Sequence, residues 1–468
     1  MEALEDRTVP TVTLGTALGI GNESGPSVVV DVAADLAGNS YTTGYFSGTV
    51  DFDPAHTFPE DADIQTARGV SDIFIAKYAS DSSLIWVKRM GGDAPLINGG
   101  NGDVGRSIVI DGSGNIYLAG RFSGSADFDS ITLTSTGDGD ADGFLAKLDS
   151  SGTVLWANRY GNALYNSGDA VGVDAAGNVY ASVSSNNAPN NNALTGSDIL
   201  KYSSTGSTLW DKWINTRLSS NFQMAVSTTG NVFVCGAFSG TVDFDPGAGT
   251  KYANAGTLYS GFALKLNTNG NFGWVSPFVG LTVGSSNGYS MANSIALDGS
   301  GNVIVGGTYR GPVDFNPGSG TTMLPTVGGG FITKLNSGGG LGWAKALESA
   351  SNCYVNGLTV DVAGNIYASG SFNGTVDFDP GTSISSKSSA GSYDIFVLKL
   401  TSSGNYSWDE TFGGIGNDNS SGIAVDAAGT IHLAGSYQGT VNFDPTDLYF
   451  LTNPGPYNNI FLVRLRQS

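Results

Sequence analysis

A turn of the form Asp-x-x-Gly-Asn, followed by Ile/Val-Tyr and a run of small residues, returns seven times along the chain. The copies stand at Asp35, Asp111, Asp174, Ser227 (Ser for Asp), Asp298, Asp361 and Asp426, and Thr430 replaces the Asn of the last copy. The intervals are 76, 63, 53, 71, 63 and 65 residues. Each unit therefore has room for about four short strands plus loops, the size of one propeller blade. Such a unit cannot bury its apolar faces alone and must stack against its neighbours. The expected fold is all-β: a seven-bladed β-propeller with four antiparallel strands per blade.

The sixth copy shows the unit most plainly. Gly357-Leu358-Thr359-Val360-Asp361 leads into the turn Val362-Ala363-Gly364-Asn365, and the run Ile366–Phe372 follows. Gly and Asn supply the positive-φ positions that a tight hairpin needs. Asn373-Gly374-Thr375-Val376-Asp377-Phe378-Asp379-Pro380-Gly381 comes next, then a third run, Asp394–Leu400, and a fourth strand around Trp408. The third strand carries a base near its end in all seven copies: Lys77, Lys147, Lys201, Lys265, Lys334, Lys399 and Arg464. The fourth carries Trp86, Trp156, Trp210, Trp274, Trp343 and Trp408, each followed four residues later by a large apolar residue. The seventh copy ends before a fourth strand, while Thr11-Val12-Thr13-Leu14 stands ahead of the first copy. Leu14 followed by Leu18 fits the tryptophan frame, so the N-terminal strand is expected to complete the last blade and to remove an open sheet edge.

The repeats run from residue 11 to 465 without a linker, which argues for one domain over 11–468 behind a flexible segment 1–10. Blade cores are expected near 27–90, 107–160, 170–214, 223–278, 293–347, 357–412 and 422–465 plus 11–18. The 69 glycines and 13% charged residues suggest disorder, but 40% hydrophobic and 10% aromatic residues at regular intervals suffice for a core. Net charge is −20, from 21 bases against 41 acids, so nucleic acid and anionic membrane are poor partners. No run of about 18 apolar residues predicts membrane insertion. Cys235 and Cys353 lie in different repeats and read as two free thiols. The start Met1-Glu2-Ala3-Leu4-Glu5-Asp6-Arg7 lacks the basic and apolar regions of a signal peptide, which leaves a cytoplasmic protein or a processed or recombinant form.

The combination Ile-Ala-Val-Asp-x-x-Gly-Asn-x-Tyr-x-x-Gly, then Asp-x-Phe-x-x-Lys-Leu-x-x-x-Gly, then Trp, resembles the bacterial seven-bladed β-propeller repeat family abbreviated SBBP. Ile423-Ala424-Val425-Asp426 through Gly435, and Asp394 through Trp408, are good matches. The likeness covers nearly the whole chain. It implies a secreted or cell-surface protein, often a module of a larger one, with no shared catalytic set. The Thr-Val-Asp-Phe-Asp-Pro-Gly element is an addition to that pattern.

In an up-and-down sheet, the first-to-second and third-to-fourth turns share one end. The second-to-third loops and the blade-to-blade connections share the other. The repeated Asp and the repeated Lys thus fall on one side, where the simplest expectation is a structural Lys–Asp pair in each blade. The Asp-Phe-Asp-Pro copies fall on the opposite side: Asp51/Asp53, Asp127/Asp129, Asp243/Asp245, Asp314 (with Asn316), Asp377/Asp379 and Asp444 (with Asn442). Alternation puts both carboxylates on one side of the strand and the Phe on the other. These acids can ligate a hard cation such as calcium. The structural alternative is a strand-end motif: Phe wedged between blades, one Asp capping turn amides, and Pro ending the pairing.

The third repeat lacks this element and has Asn186, Asn187 and Asn190 in its place, in a loop that opens a notch for a glycan or is a drifted repeat. The long connections 91–106 and 280–293 reach the same face and bring Asn98, Asn101, Asp103, Asn287 and Tyr289 as polar contacts. Catalysis finds little support. His56 and His432 form neither a metal set nor a triad, and His432 reads as a substituted core aromatic. The expected function is a non-enzymatic binding scaffold that takes a protein or a glycan on the face of the Asp-Phe-Asp-Pro loops. The alternatives are a calcium-stabilised glycan-binding module, a carbohydrate-active hydrolase or lyase built on unrepeated acids, and a purely structural surface module.

Overall fold

In the computed structural model, the described residues are 12–21, 25–54, 63–93, 102–136, 141–161, 165–185, 196–216, 222–444 and 449–467. They are all-β and antiparallel. Among them, seven sheets each contain a meander of four strands. The first sheet is typical, with strands Ser27–Ala34, Ser40–Phe46, Asp72–Tyr78 and Leu84–Met90 in spatial order. The first strands of the seven sheets are Ser27–Ala34, Val104–Ile110, Asn166–Val173, Gln223–Val226, Tyr289–Leu297, Cys353–Val360 and Asn419–Val425. Each of them touches the next, and the seventh touches the first. Segment 1–10, expected to be flexible, lies outside the described residues.

The sheets are held together by a repeated aromatic wedge. In six units the Phe of the Asp-Phe-Asp-Pro element is fully buried: Phe52, Phe128, Phe244, Phe315, Phe378 and Phe443. Each packs on a ring ending the second strand and a ring of the third strand. In the sixth unit Phe378 lies 5.4 Å from Phe372 and 4.9 Å from Phe396. These three rings bury themselves against Ile304, Ile332 and Leu347 of the preceding sheet. Phe46, Phe52 and Phe74 likewise cover Ile460 and Leu462 of the seventh sheet. The Phe is therefore an inter-sheet wedge, and in the sixth unit Asp379 and Pro380 follow the short strand Thr375–Asp377.

A second inter-sheet contact explains the tryptophans. Trp156, Trp210 and Trp274 donate their indole N–H to Ser204, Thr268 and Ser337 carbonyls of the following unit at 3.2, 3.2 and 3.1 Å. The ring lies on a turn glycine with φ near +80°. At Gly339, a Cβ would stand 2.6 Å from Trp274. Only glycine fits there, because the turn needs the left-handed region and the indole needs the space.

The N-terminal strand Val12–Ile20 pairs antiparallel with the last strand, Asn459–Gln467. The register corrects the expectation drawn from Leu14 and Leu18. Thr16 stands opposite Arg464, as Trp86 stands opposite Lys77, and Ile20 stands opposite Ile460, as Met90 stands opposite Ile73. Thr16 and Ile20 thus hold the tryptophan and plus-four positions. The frame moves by two residues, which preserves the inward face. With no indole at Thr16, the turn position of the first unit has no need of glycine. Ser82 occupies it at φ 72°, and its hydroxyl bonds the Thr16 hydroxyl at 2.6 Å.

The third unit breaks the wedge. Aligned on Lys201, its strand places Ser185 and Asp198 where the first unit has Phe46 and Phe74. The second and third sheets instead meet through aliphatic side chains with Tyr160 stacked on Tyr202 at 6.3 Å.

Because the rings supply the inter-sheet core while the neighbouring acids cap an exposed loop, Phe378→Ala should cost about 3–5 kcal/mol in urea denaturation. Asp379→Ala should cost about 1 kcal/mol or less. Equal losses would refute the wedge.

Candidate ligand-binding channel

The repeated polar residues are occupied by the fold. In the turns, Asp361 accepts from the backbone N–H of Ala363 and Asn365 through one oxygen, and from the Asn365 amide and the Tyr367 hydroxyl through the other. Asp35, Asp111 and Asp174 do the same. Burial works against the Asp361 carboxylate, but these hydrogen bonds outweigh it and hold its pKa below the usual value. The lysines do not form the expected Lys–Asp pair in every unit. Lys77, Lys147, Lys201, Lys265 and Lys399 sit over the cross-strand ring of Tyr41, Tyr117, Tyr180, Phe233 and Tyr367 at 4.9–5.3 Å. Where the ring is missing, at Ile304, Lys334 turns to Asp298 at 2.9 Å. His432 replaces the tyrosine in the seventh unit and lies 3.2 Å from Asp426, the contact a Tyr hydroxyl makes elsewhere.

Eight of the ten acids proposed as metal ligands accept turn amides or form ion pairs through their carboxylates, while Asp53 and Asp444 enter the loops through their backbone N–H. Asp51 accepts from the Asp53 N–H. Asp243, Asp314 and Asp377 each bridge two backbone amides of their hairpin loops. Asp245 and Asp379 each accept from a glycine N–H two residues on. Asp444 donates its own N–H to Asn442. Asp127 pairs with Arg68, and Asp129 with Lys88, both at 2.7 Å. Among the described residues, no group of three or more His, Cys, Asp or Glu is placed to hold a metal.

Of the polar contacts expected on the loop face, Asn98, Asn101, Asn186, Asn187 and Asn190 lie outside the described residues. Asp103 is buried and latches the Gly92 and Ser123 amides at 3.0 and 2.9 Å, and burial lifts its pKa to about 7. Asn287 accepts from the Thr282 hydroxyl, and Tyr289 packs on Tyr259. None of these three lines the central cavity.

That cavity, of about 480 Å³, is lined by residues of all seven first strands. In six of them the ladder carries a bulge at the residue five before the repeated turn position: Val30, Arg106, Asp169, Asn293, Asn356 and Ser421. A bulge re-aims its side chain, and all six line the cavity. The residue two positions on is aliphatic in all six (Val32, Ile108, Val171, Ile295, Leu358 and Ile423), while the bulge position itself varies, and its aim into the cavity shows only once the bulge is seen. Next to it, Asp31 clamps two sheets by accepting from Val32 and Ile108 N–H at 2.8 and 2.9 Å, with burial raising its pKa to about 6.

Residues 85–128 match the model of the SBBP β-propeller repeat. The chain carries an SBBP-type repeat. It is also 26% identical over 469 residues to an uncharacterized WD repeat-containing protein, L264, of Acanthamoeba polyphaga mimivirus, matching 81% of this chain and 32% of that protein. The chain thus spans about a third of that relative's length. Among solved structures, Sqt1 from Chaetomium thermophilum is 10% identical with a TM-score of 0.37, over 96% of this chain and 87% of that one. A lignostilbene dioxygenase from Pseudomonas brassicacearum is 10% identical with a TM-score of 0.38, over 98% and 94%. Among the described residues, no helix is long and apolar enough to cross a membrane.

In the third unit, Asp198 has Asp211 as its hydrogen-bonded neighbour. Burial, then the second carboxylate, raise the Asp198 pKa to about 7. A carboxyl whose folded pKa exceeds its unfolded value of 3.8 costs nothing below pH 4, and its penalty grows until pH 7. Asp198→Leu should therefore leave urea stability little changed at pH 4 and raise it by about 1–2 kcal/mol at pH 8, the range set by partial screening. A loss at pH 8 would show that the acid pair supports the fold. Because the loop acids are already committed, millimolar calcium should move the thermal midpoint by less than about 1 °C relative to EGTA. A rise of several degrees would make those loops ligands.

Proposed function

We propose that this chain is a non-enzymatic interaction scaffold. In this reading, residues 11–468 form a single seven-bladed propeller closed by its N-terminal strand. It takes a protein partner on the face that bears the second-to-third loops and the connections between units. The observation that carries the reading is a set of apolar side chains on these loops that the fold does not use. Ile384 is 78% exposed and Ile415 is 88% exposed, in adjoining loops of that face where Ser392 donates to the Gly416 carbonyl. Val283 in the connection between the fourth and fifth units adds a third, 61% exposed. Exposed aliphatic side chains on polar loops can anchor a protein partner. The repeated polar residues, by contrast, are bound into turns and inter-sheet contacts and leave no repeated catalytic set. Placement outside the cell rests on the resemblance of the repeat to those of secreted and surface proteins.

The test is photocrosslinking in cells that produce the protein, with benzoylphenylalanine introduced at Ile415 or at Val362, an exposed turn residue at the opposite end of the sheets. Position 415 should give discrete heavier adducts and position 362 none. Adducts of the same pattern from both positions, or from neither, would reject the assignment of the face.

A further inference from the structure

The junction between the last and first sheets lacks the indole that five others hold. At those five, the tryptophan ring lies against a turn glycine of the next unit: Trp86 on Gly152, Trp156 on Gly206, Trp210 on Gly270, Trp274 on Gly339 and Trp343 on Gly404. Where the last sheet meets the first, Thr16 holds the tryptophan position and Ser82 the glycine position. The first unit keeps the shared turn, with the Ala79 N–H donating to the Ser83 carbonyl and the Ser82 N–H to the Ala79 carbonyl. Its Ser80 carbonyl therefore stands where Ser204, Thr268 and Ser337 accept an indole N–H, and it bonds to no described residue. Two positions after the tryptophan, Lys88 crosses to Asp129 at 2.7 Å, whereas the closing strand has Leu18. A groove of about 630 Å³ remains beside the hydrogen-bonded pair of Thr16 and Ser82, lined also by Leu14, Leu18, Leu84 and Tyr449. Tyr449 is 45% exposed, and the groove is open to solvent.

We infer that this groove binds an aromatic amine, a small molecule with a planar ring of indole size and an ammonium group. The leucines and Tyr449 suit the faces of such a ring, and the five sister junctions show that the turn of this repeat accepts an indole. The charge follows from Asp53 and Asp81, the two charged residues that line the groove. Asp81 accepts from the Ser83 hydroxyl and N–H at 2.6 and 3.0 Å, both on Oδ1, so Oδ2 can accept from an ammonium group. These bonds hold the Asp81 pKa below the usual carboxylate value and keep the group ionised. An anionic ring would meet both acids in a chain of net charge −20. A volume of about 630 Å³ lies within the range of small-molecule sites. This site is separate from the loop-face reading and stands or falls without it.

The experiment is saturation-transfer NMR on the full chain with tryptamine, indole, indole-3-acetate and butylamine, followed by calorimetry on whatever binds. Tryptamine should bind most tightly, at least about tenfold ahead of indole-3-acetate, and butylamine should not bind. The double variant Thr16→Trp, Ser82→Gly restores the arrangement of the other junctions. It should raise the thermal midpoint by about 1 °C or more and abolish tryptamine binding, because its own indole takes the site. Asp81→Asn and Tyr449→Ala should each weaken tryptamine several-fold. Should the double variant fail to fold, these two exposed positions carry the test. Absence of tryptamine binding would overturn the inference, as would butylamine or indole-3-acetate binding as tightly. Tryptamine binding unchanged in the folded variants would do the same.

Discussion

Each sheet in this protein has two apolar faces and no means of covering either one itself. The structure depends on answering that constraint between units. A ring from the second strand, a ring from the loop element and a ring from the third strand are pressed together onto the aliphatic face of the preceding sheet. Aromatic rings suit this role because they bury large area and meet edge-on, as Phe46 and Phe52 do at 88°. The tryptophan and its turn glycine repeat the principle near the outer strands, where one sheet's indole lies on the next sheet's backbone.

Seen through these contacts, most departures from the repeat occur in matched pairs. Ser227 takes the place of the turn aspartate in the unit where Phe233 takes the place of the tyrosine that would have bonded it. Ile304 removes the ring beneath Lys334, and the lysine pairs with Asp298 instead. Thr16 removes the indole, and Ser82 can then replace glycine. Arg464 replaces a lysine and bonds the Ser40 hydroxyl and the Tyr78 carbonyl across the junction of the last and first sheets. The third unit is different. Asp198 sits where a wedge ring sits elsewhere, with a second acid beside it rather than a compensating base.

Function then has to be sought where repetition stops. The bulge in the first strand is a fixed device with variable content. The same backbone irregularity presents valine, arginine, aspartate, asparagine and serine to one cavity. A rigid frame of repeated contacts can hold such a set without each member contributing to stability, which is why Arg106 and Asp169 can stand 3.8 Å apart, beyond hydrogen-bond reach.

The all-β antiparallel class, the turn chemistry and the inward burial of the Phe in Asp-Phe-Asp-Pro were all legible from the residues. They depend on local φ preferences and on two-residue alternation, which are properties of neighbouring positions. The same is true of the antiparallel partner of the N-terminal strand, since the missing strand and the extra strand are both visible. Its register was not legible, because alternation alone tolerates a slip of two and no tryptophan marks the frame. Nor could spacing tell that five of the lysines sit over an aromatic ring, Lys77 with Asp35 also at 3.9 Å, while Lys334 pairs with Asp298, as ring and carboxylate lie at the same sheet end and only distance separates them. The cavity residues were hidden for a similar reason. Which side chain faces the channel is decided by a bulge, and a bulge is a relation between two strands rather than a feature of either.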